Sequence, residues 1–394
     1  MAGAQRANLD HNATTTVRPA VIDAVAAALA AGGNPSSVHA EGRAARGRVE
    51  SARDDVAALL GVPARAVWFT SGGTEANVLA LTPFIETARE KRPLDRLLTS
   101  AIEHPCVLEG ARFPQDRIER IPVAPDGVVD LGWLESRLVD MASKGERALV
   151  SVQAANNETG ALQPVRAAAD LAHAHGGLLH CDAVQAIGKV GFDVASSGAD
   201  LVAVSAHKIG GPQGVGALAA SSPSLHIAER VLRGGGQERG LRAGTENAPG
   251  VAGFGAAARE ARLQGAAEAA RMTRLRDRLE AGLRELAPDV VIFSSGVERL
   301  PNTTLFALPG QAAETALIAF DLDGVALSSG SACSSGKVRR SHVLQAMGVS
   351  DDLAGGAIRV SLGWSSVEAD VERFLKAFEK LRDALHLRQG RRAA

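Results

Sequence analysis

Between about residues 45 and 220, short apolar runs alternate with stretches of helical periodicity. The runs fall at 66–69, 97–100, 148–152, 178–181, 201–204 and 215–219, and the helical patterns at 74–89 and 165–175. Runs this short, apolar almost throughout and bounded by turn residues, fit strands buried on both faces. Their alternation with helices predicts an α/β fold with a mostly parallel sheet covered by helices. Ligands of such sheets bind beyond the carboxyl ends of the strands. Three consecutive glycines in Gly234-Gly235-Gly236-Gln237-Glu238-Arg239-Gly240 oppose helix and strand alike and predict a flexible loop. A long helical stretch at 247–286 leads into a different pattern, with strands at 290–293, 303–307, 325–327 and 358–362 and helices at 312–320 and 367–387. The expected organisation is a large domain over 14–260 and a smaller α+β domain built from 1–13 and 261–394.

Composition narrows the functions open to this fold. The 394 residues are 46% hydrophobic and 22% charged with a formal net charge of −1, which gives a core to bury and no electrostatic footprint for nucleic acid. The basic stretch between Arg388 and Arg392 reads as a frayed tail. Residues 1–10 lack the apolar core of a signal peptide, and no run approaches the ~20 apolar residues of a membrane span. Cys106, Cys181 and Cys333 are too few and too scattered for a disulfide framework. The expectation is a soluble, cytoplasmic protein with reduced thiols and no membrane partner. Aromatic residues make up 3% of the chain, with no tyrosine, which argues against base stacking and aromatic cages.

Lys208 carries the first chemical signal. It stands in Ser205-Ala206-His207-Lys208-Ile209-Gly210-Gly211-Pro212, directly after the apolar run 201–204. Desolvating an ammonium is costly, so a lysine delivered by a buried strand points to chemistry. A Schiff base with pyridoxal phosphate uses such an amine together with an acidic partner for the pyridinium nitrogen. Asp182, at the end of the run 178–181, is a candidate partner. The pair alone is equally compatible with a solvated loop lysine and a helix cap.

Other segments add to the picture. In Thr70-Ser71-Gly72-Gly73-Thr74-Glu75 paired glycines let the backbone approach an anion, and the helix start offers free amides. An ordinary helix cap would look the same; Lys208 and Asp182 favour phosphate. In Glu103-His104-Pro105-Cys106, His104 is a cap or a flat residue stacked on a cofactor ring, and Cys106 reads as a small buried residue. Asn156-Asn157-Glu158-Thr159-Gly160 is a tight turn, or an amide aimed at a ligand. Cys333 lies in Ser328-Ser329-Gly330-Ser331-Ala332-Cys333-Ser334-Ser335-Gly336, close to Lys337, Arg339 and Arg340. A stretch of serine and glycine packs no core, and a thiol near cations suits a nucleophile. His173, His175, His180 and Cys181 do not share a helix or strand face, so a metal is disfavoured.

In this order, the motifs resemble those of the cysteine desulfurases, pyridoxal-phosphate enzymes of the class V aminotransferase group. The resemblance spans nearly the whole chain: Leu9-Asp10-His11-Asn12-Ala13-Thr14-Thr15, Gly33-Asn34-Pro35-Ser36-Ser37-Val38-His39, the segments above, Asp182-Ala183-Val184-Gln185, Arg242-Ala243-Gly244-Thr245-Glu246-Asn247 and Arg359-Val360-Ser361-Leu362-Gly363. The Ser/Gly segment resembles the branch containing the nitrogen-fixation and iron–sulfur-assembly enzymes. The resemblance implies that Lys208 holds the cofactor and moves the substrate's Cα proton, that Asp182 pairs with the pyridinium nitrogen, and that Gln185 bonds the ring oxygen. It places His104 on the ring, where it would also shuttle protons, with Gly73, Thr74, Ser205 and His207 on the phosphate. Thr245 would reach in from the partner subunit of a homodimer. Asn157 and Arg359 would hold the substrate carboxylate, for which a guanidinium fork is suited. Cys333 would attack the sulfur of L-cysteine, leaving L-alanine and a persulfide for a sulfur-acceptor protein such as an iron–sulfur scaffold. The alternatives on this scaffold are a selenocysteine lyase, an aminotransferase and a non-catalytic sulfur carrier.

Overall fold

The computed structural model describes residues 6–88, 90–329 and 340–393, with side chains described as far as residue 384. Seven strands form the central sheet in the order Val67–Thr70, Gly216–Ala220, Leu201–Ser205, Leu178–Asp182, Ala148–Ser151, Arg96–Ser100 and Ile118–Ile121. Only Gly216–Ala220 runs against the rest. Every residue of Ala148–Ser151, Leu178–Asp182, Leu201–Ser205 and Gly216–Ala220 is buried, as a sheet covered on both faces requires. The fold is therefore the α/β class that the alternating pattern predicts.

The helix from Ala248 to Leu286 spans two cores. Its first turns, including Val251, Phe254 and Ala258, pack in the core of the large sheet. Met272, Leu275, Leu279 and Leu283 join a second core with Phe306, Phe320, Phe374 and Phe378. That second core covers an antiparallel sheet of Val291–Ile292, Thr303–Ala307 and Ile358–Ser361. The N-terminal strand Ala7–Asn8 pairs in parallel with Val325–Ala326 beside it.

Three elements differ from the sequence expectation. The helix expected over 74–89 is Gly73–Ala80. Pro83 disfavours helical geometry just upstream, and Ile85–Glu86 pairs with His226–Ile227 instead. The glycine-rich segment is anchored, because Glu238 is 4% exposed and pairs with Arg53 at 2.7 Å. The last helix runs Glu368–Ala393, so the basic stretch expected to fray continues it.

One glycine bears directly on the site. A Cβ on Gly216 would sit 2.6 Å from the Gly72 carbonyl carbon and 2.7 Å from the Val204 carbonyl oxygen. The strand can therefore approach the Gly72-Gly73 turn only as glycine. Gly216→Ala is expected to destabilise the protein by roughly 1–3 kcal/mol, read as a lower thermal midpoint; an unchanged midpoint would contradict this packing.

Candidate active site

A cavity of about 1200 Å³ opens at the carboxyl ends of the parallel strands. Each strand end delivers part of its lining. Val67–Thr70 leads through Gly72 into the helix Gly73–Ala80, which starts with no side-chain cap bonded to its amides. Gly73 and Thr74 line the cavity there, joined by Ser205 and His207 after the neighbouring strand. A Cβ on Gly73 would strike Val184 Cγ2 at 2.8 Å, so the close approach of these loops depends on glycine. Free amides at a helix N-terminus, flanked by hydroxyls, form a site for an anion.

Asp182 ends its strand inside the same cavity and is 7% exposed. Its carboxylate accepts from Asn77 Nδ2 at 2.7 Å and from the Val184 amide at 2.9 Å. These bonds fix its orientation. Lys208 follows the next strand. Its amine donates to the backbone carbonyls of Asn12 and Ala13, the latter at 2.9 Å. Burial and then the charge of Arg359 lower its pKa from 10.5 to about 8, against the pull of Asp182 and Asp10. A lysine so tuned holds a substantial neutral fraction near neutral pH and is a competent nucleophile.

His104 caps the helix Pro105–Leu108, its Nδ1 accepting from the Cys106 amide. The ring is exposed to the cavity, yet the cavity walls strip enough water to hold its pKa below the usual histidine value. Cys106 is half-buried, packing as a small apolar residue against the neighbouring core. It lines the cavity, with Sγ 3.0 Å from His104 Nδ1 and accepting from Asn77 Nδ2 at 3.4 Å. Burial pushes its thiol up to about 12, which keeps it protonated and unreactive. His207, beside Lys208 and Lys189, is held at about 4, chiefly by burial. It is therefore a neutral ring at physiological pH.

Arg359 reaches the cavity from the smaller sheet and is 4% exposed. Its Nη1 donates to the Asn157 backbone carbonyl at 3.0 Å and its Nη2 to Asp10 Oδ1 at 2.7 Å, while its buried Nε has no partner among the described residues. Asn157 thus supports the guanidinium through its main chain, within a turn whose Asn156 Oδ1 accepts from the amides of Glu158 and Thr159. Gln185 lines the wall next to Asp182.

The structure accordingly brings together Gly73, Thr74, His104, Asn157, Asp182, Gln185, Ser205, His207, Lys208 and Arg359. Thr245 is exposed and is not part of the lining. Cys333 lies outside the described residues. Several contributors carried no role in the sequence reading. Asp10 and Asn12 come from an N-terminal segment that joins the site only through tertiary folding. Asn77 stands one helical turn from Thr74, a spacing that could have pointed to it. Glu103 is fully buried behind His104, and burial and Asp182 hold its carboxyl well above the usual range. Lys189 is a second buried lysine, one turn beyond Gln185.

A lysine and an aspartate facing one anion-ready cavity at the end of a parallel sheet define a class of enzyme, and the comparisons agree. The chain belongs to the aminotransferase class-V family, whose model matches residues 7–374. Among curated proteins it is similar to a cysteine desulfurase of Cereibacter sphaeroides, 40% identical over 387 residues and 97% of each chain. It is also similar to an IscS-like cysteine desulfurase of Mycobacterium tuberculosis, 39% identical over 379 residues and 94% of each. Among solved structures, a NifS-like protein from Rickettsia africae matches with a TM-score of 0.86 and 35% identity, over 96% of this chain and all (100%) of that one. No helix among the described residues is long and apolar enough to cross a membrane.

Proposed function

We propose that the chain is a pyridoxal-phosphate-dependent cysteine desulfurase that converts L-cysteine to L-alanine and passes the sulfur to Cys333 as a persulfide. The observation that carries this reading is the Lys208 amine, lowered to about 8, in one cavity with the hydrogen-bonded Asp182 carboxylate. The donor set fits the cofactor. The open helix start at Gly73, with Thr74, Ser205 and His207 around it, suits a phosphate. Asp182 suits a pyridinium nitrogen, Gln185 a ring oxygen, and the exposed His104 ring a stacking partner. When bound, pyridoxal phosphate supplies an electron sink for the substrate carbon.

The chain's own residues do the rest. Lys208 holds the cofactor, then takes the Cα proton as a base tuned toward neutrality. Asp182, kept in place by Asn77 and Val184, keeps the ring nitrogen protonated. Arg359 receives the substrate carboxylate, for which its Nε, unpartnered among the described residues, is available and Asp10 is the group to displace. Cys333 takes the sulfur, and the balance is closed: L-cysteine plus the Cys333 thiol gives L-alanine plus the Cys333 persulfide. The substrate Cβ is reduced by the two electrons that oxidise the sulfur.

The reading extends to a homodimer in which Thr245, exposed here, meets the partner's cofactor phosphate. It extends also to a cytoplasmic location, where Cys106 and Cys181, both free, stay reduced. The acceptor of the persulfide is a protein, an iron–sulfur scaffold among the candidates. A division near residue 260 is supported by the long helix changing cores between Ala261 and Met272. The test is product analysis with L-cysteine and a reducing thiol. Alanine and sulfide in equal amounts, with no keto acid, are expected; a keto-acid product would make the chain an aminotransferase.

A further inference from the structure

Behind the cavity wall lies a lysine that no step above uses. Lys189 is 7% exposed, and its amine donates to Gln185 Oε1 at 2.6 Å and to Asn12 Oδ1 at 3.0 Å. Gln185 itself lines the cavity. Its Nε2 donates to the Asn12 backbone carbonyl at 3.0 Å, the same carbonyl that accepts from Lys208 Nζ. Asn12 is committed on both sides of its amide: Nδ2 donates to the Asn157 carbonyl at 3.1 Å and to Thr303 Oγ1 at 2.9 Å, and Oδ1 also accepts from Asn302 Nδ2 at 3.0 Å.

Two features make this arrangement informative. A buried lysine normally has a carboxylate partner, and none forms an ion pair with Lys189 among the described residues. Burial, and after it the cationic neighbours Lys208 and Arg359, disfavours an ammonium there. The amine is therefore placed for its hydrogen bonds, at a cost in desolvation. Its two acceptors are both amide oxygens. An amide presents a donor at one end and an acceptor at the other, in shapes that are nearly interchangeable. Whatever fixes one end decides what the other offers.

We propose that Lys189 is a positioning residue that locks the Gln185 amide with its NH2 end toward the cavity. Gln185 then serves the cofactor's ring oxygen only as a hydrogen-bond donor, and Lys189 acts through it. The proposal rests on the cofactor assignment made above. Without Lys189 the amide is free to turn, and an acceptor can face an oxygen that carries negative charge.

The test uses the resting holoenzyme without substrate, titrating its visible cofactor absorbance against pH. A ring oxygen that loses a donor leaves the nearby Lys208 nitrogen holding its proton more firmly. Lys189→Met is therefore expected to raise the titration midpoint by roughly 0.5–1 pH unit, the size of one hydrogen bond. Gln185→Met, which leaves Lys189 in place, is expected to give the same shift. Adding Lys189→Met to Gln185→Met is expected to shift the midpoint no further. A midpoint unchanged in either single variant overturns the proposal, as does a second full shift in the double variant. A reconstituted wild type that shows no visible band would remove the cofactor assignment itself, a separate outcome.

Discussion

Lys208→Ala is expected to abolish alanine formation from L-cysteine while leaving the protein folded. The side chain lies at the cavity wall, and what it loses locally is two hydrogen bonds to the carbonyls of Asn12 and Ala13. Those carbonyls face the cavity, where water can replace the amine, so the structural cost is small. The chemical cost is large. Loss of a positioned proton-transfer group alone is worth roughly 10²–10⁴-fold in rate, and loss of the covalent anchor adds to it. Alanine release by high-performance chromatography measures the loss, with thermal denaturation as the control for folding. Substantial alanine formation by the variant would place the essential amine elsewhere. The same amine predicts a pH dependence. Its neutral form is the nucleophile, and its pKa lies at about 8 where a free lysine has 10.5. Reaction of the cofactor-free wild type with pyridoxal phosphate is expected to accelerate as pH rises through about 8 and to level off above it. Arg359→Gln removes a nearby positive charge, so its midpoint is expected to move up.

What the sequence disclosed and withheld follows from the kind of signal each residue gives. Lys208 and Asp182 were legible because each ends an apolar run, and strand ends in a parallel sheet share one rim. Thr74 was legible from the glycines before it, which mark a backbone that must approach something closely. Lys189 and Glu103 were not. Each follows an ordinary local pattern, and its importance comes from burial that only tertiary packing creates. Asn12 carries no local signal of its task, because its partners Asn157, Gln185, Asn302 and Thr303 are far along the chain. Cys106 was legible in part: it packs as a small apolar residue against a core, and it lines the cavity as well. The helix expected over 74–89 overran. Periodicity persists past Ala80, but Pro83 and the pairing of Ile85–Glu86 with His226–Ile227 override it.

Cys333→Ala is expected to have an effect as large as that of Lys208→Ala but of a different kind. Cofactor binding, and with it the visible absorbance of the holoenzyme, should be unchanged, because every residue proposed to hold the cofactor lies elsewhere. Only the atom that receives sulfur is removed. Of the chain's two other thiols, Cys106 is held as a thiol with a pKa of about 12 and Cys181 is fully buried, its pKa driven well above the usual value by that burial. Neither can substitute as a thiolate at neutral pH. Removing a covalent nucleophile that acts as one unit with its partner groups costs roughly a thousandfold or more. The expected result is therefore a fully coloured protein with no persulfide and almost no sulfide release from L-cysteine. Persulfide labelling after a single turnover gives the first measurement and sulfide release the second. L-Selenocysteine supplies the discriminating comparison. Its weaker C–Se bond and better leaving group need less help from an attacking thiol. A wild type that turns over selenocysteine far faster than cysteine, with selenide release untouched by Cys333→Ala, would identify a selenocysteine lyase. Wild-type sulfide release from the variant would sink the sulfur-transfer mechanism altogether, whereas loss on both substrates leaves Cys333 as the acceptor of sulfur.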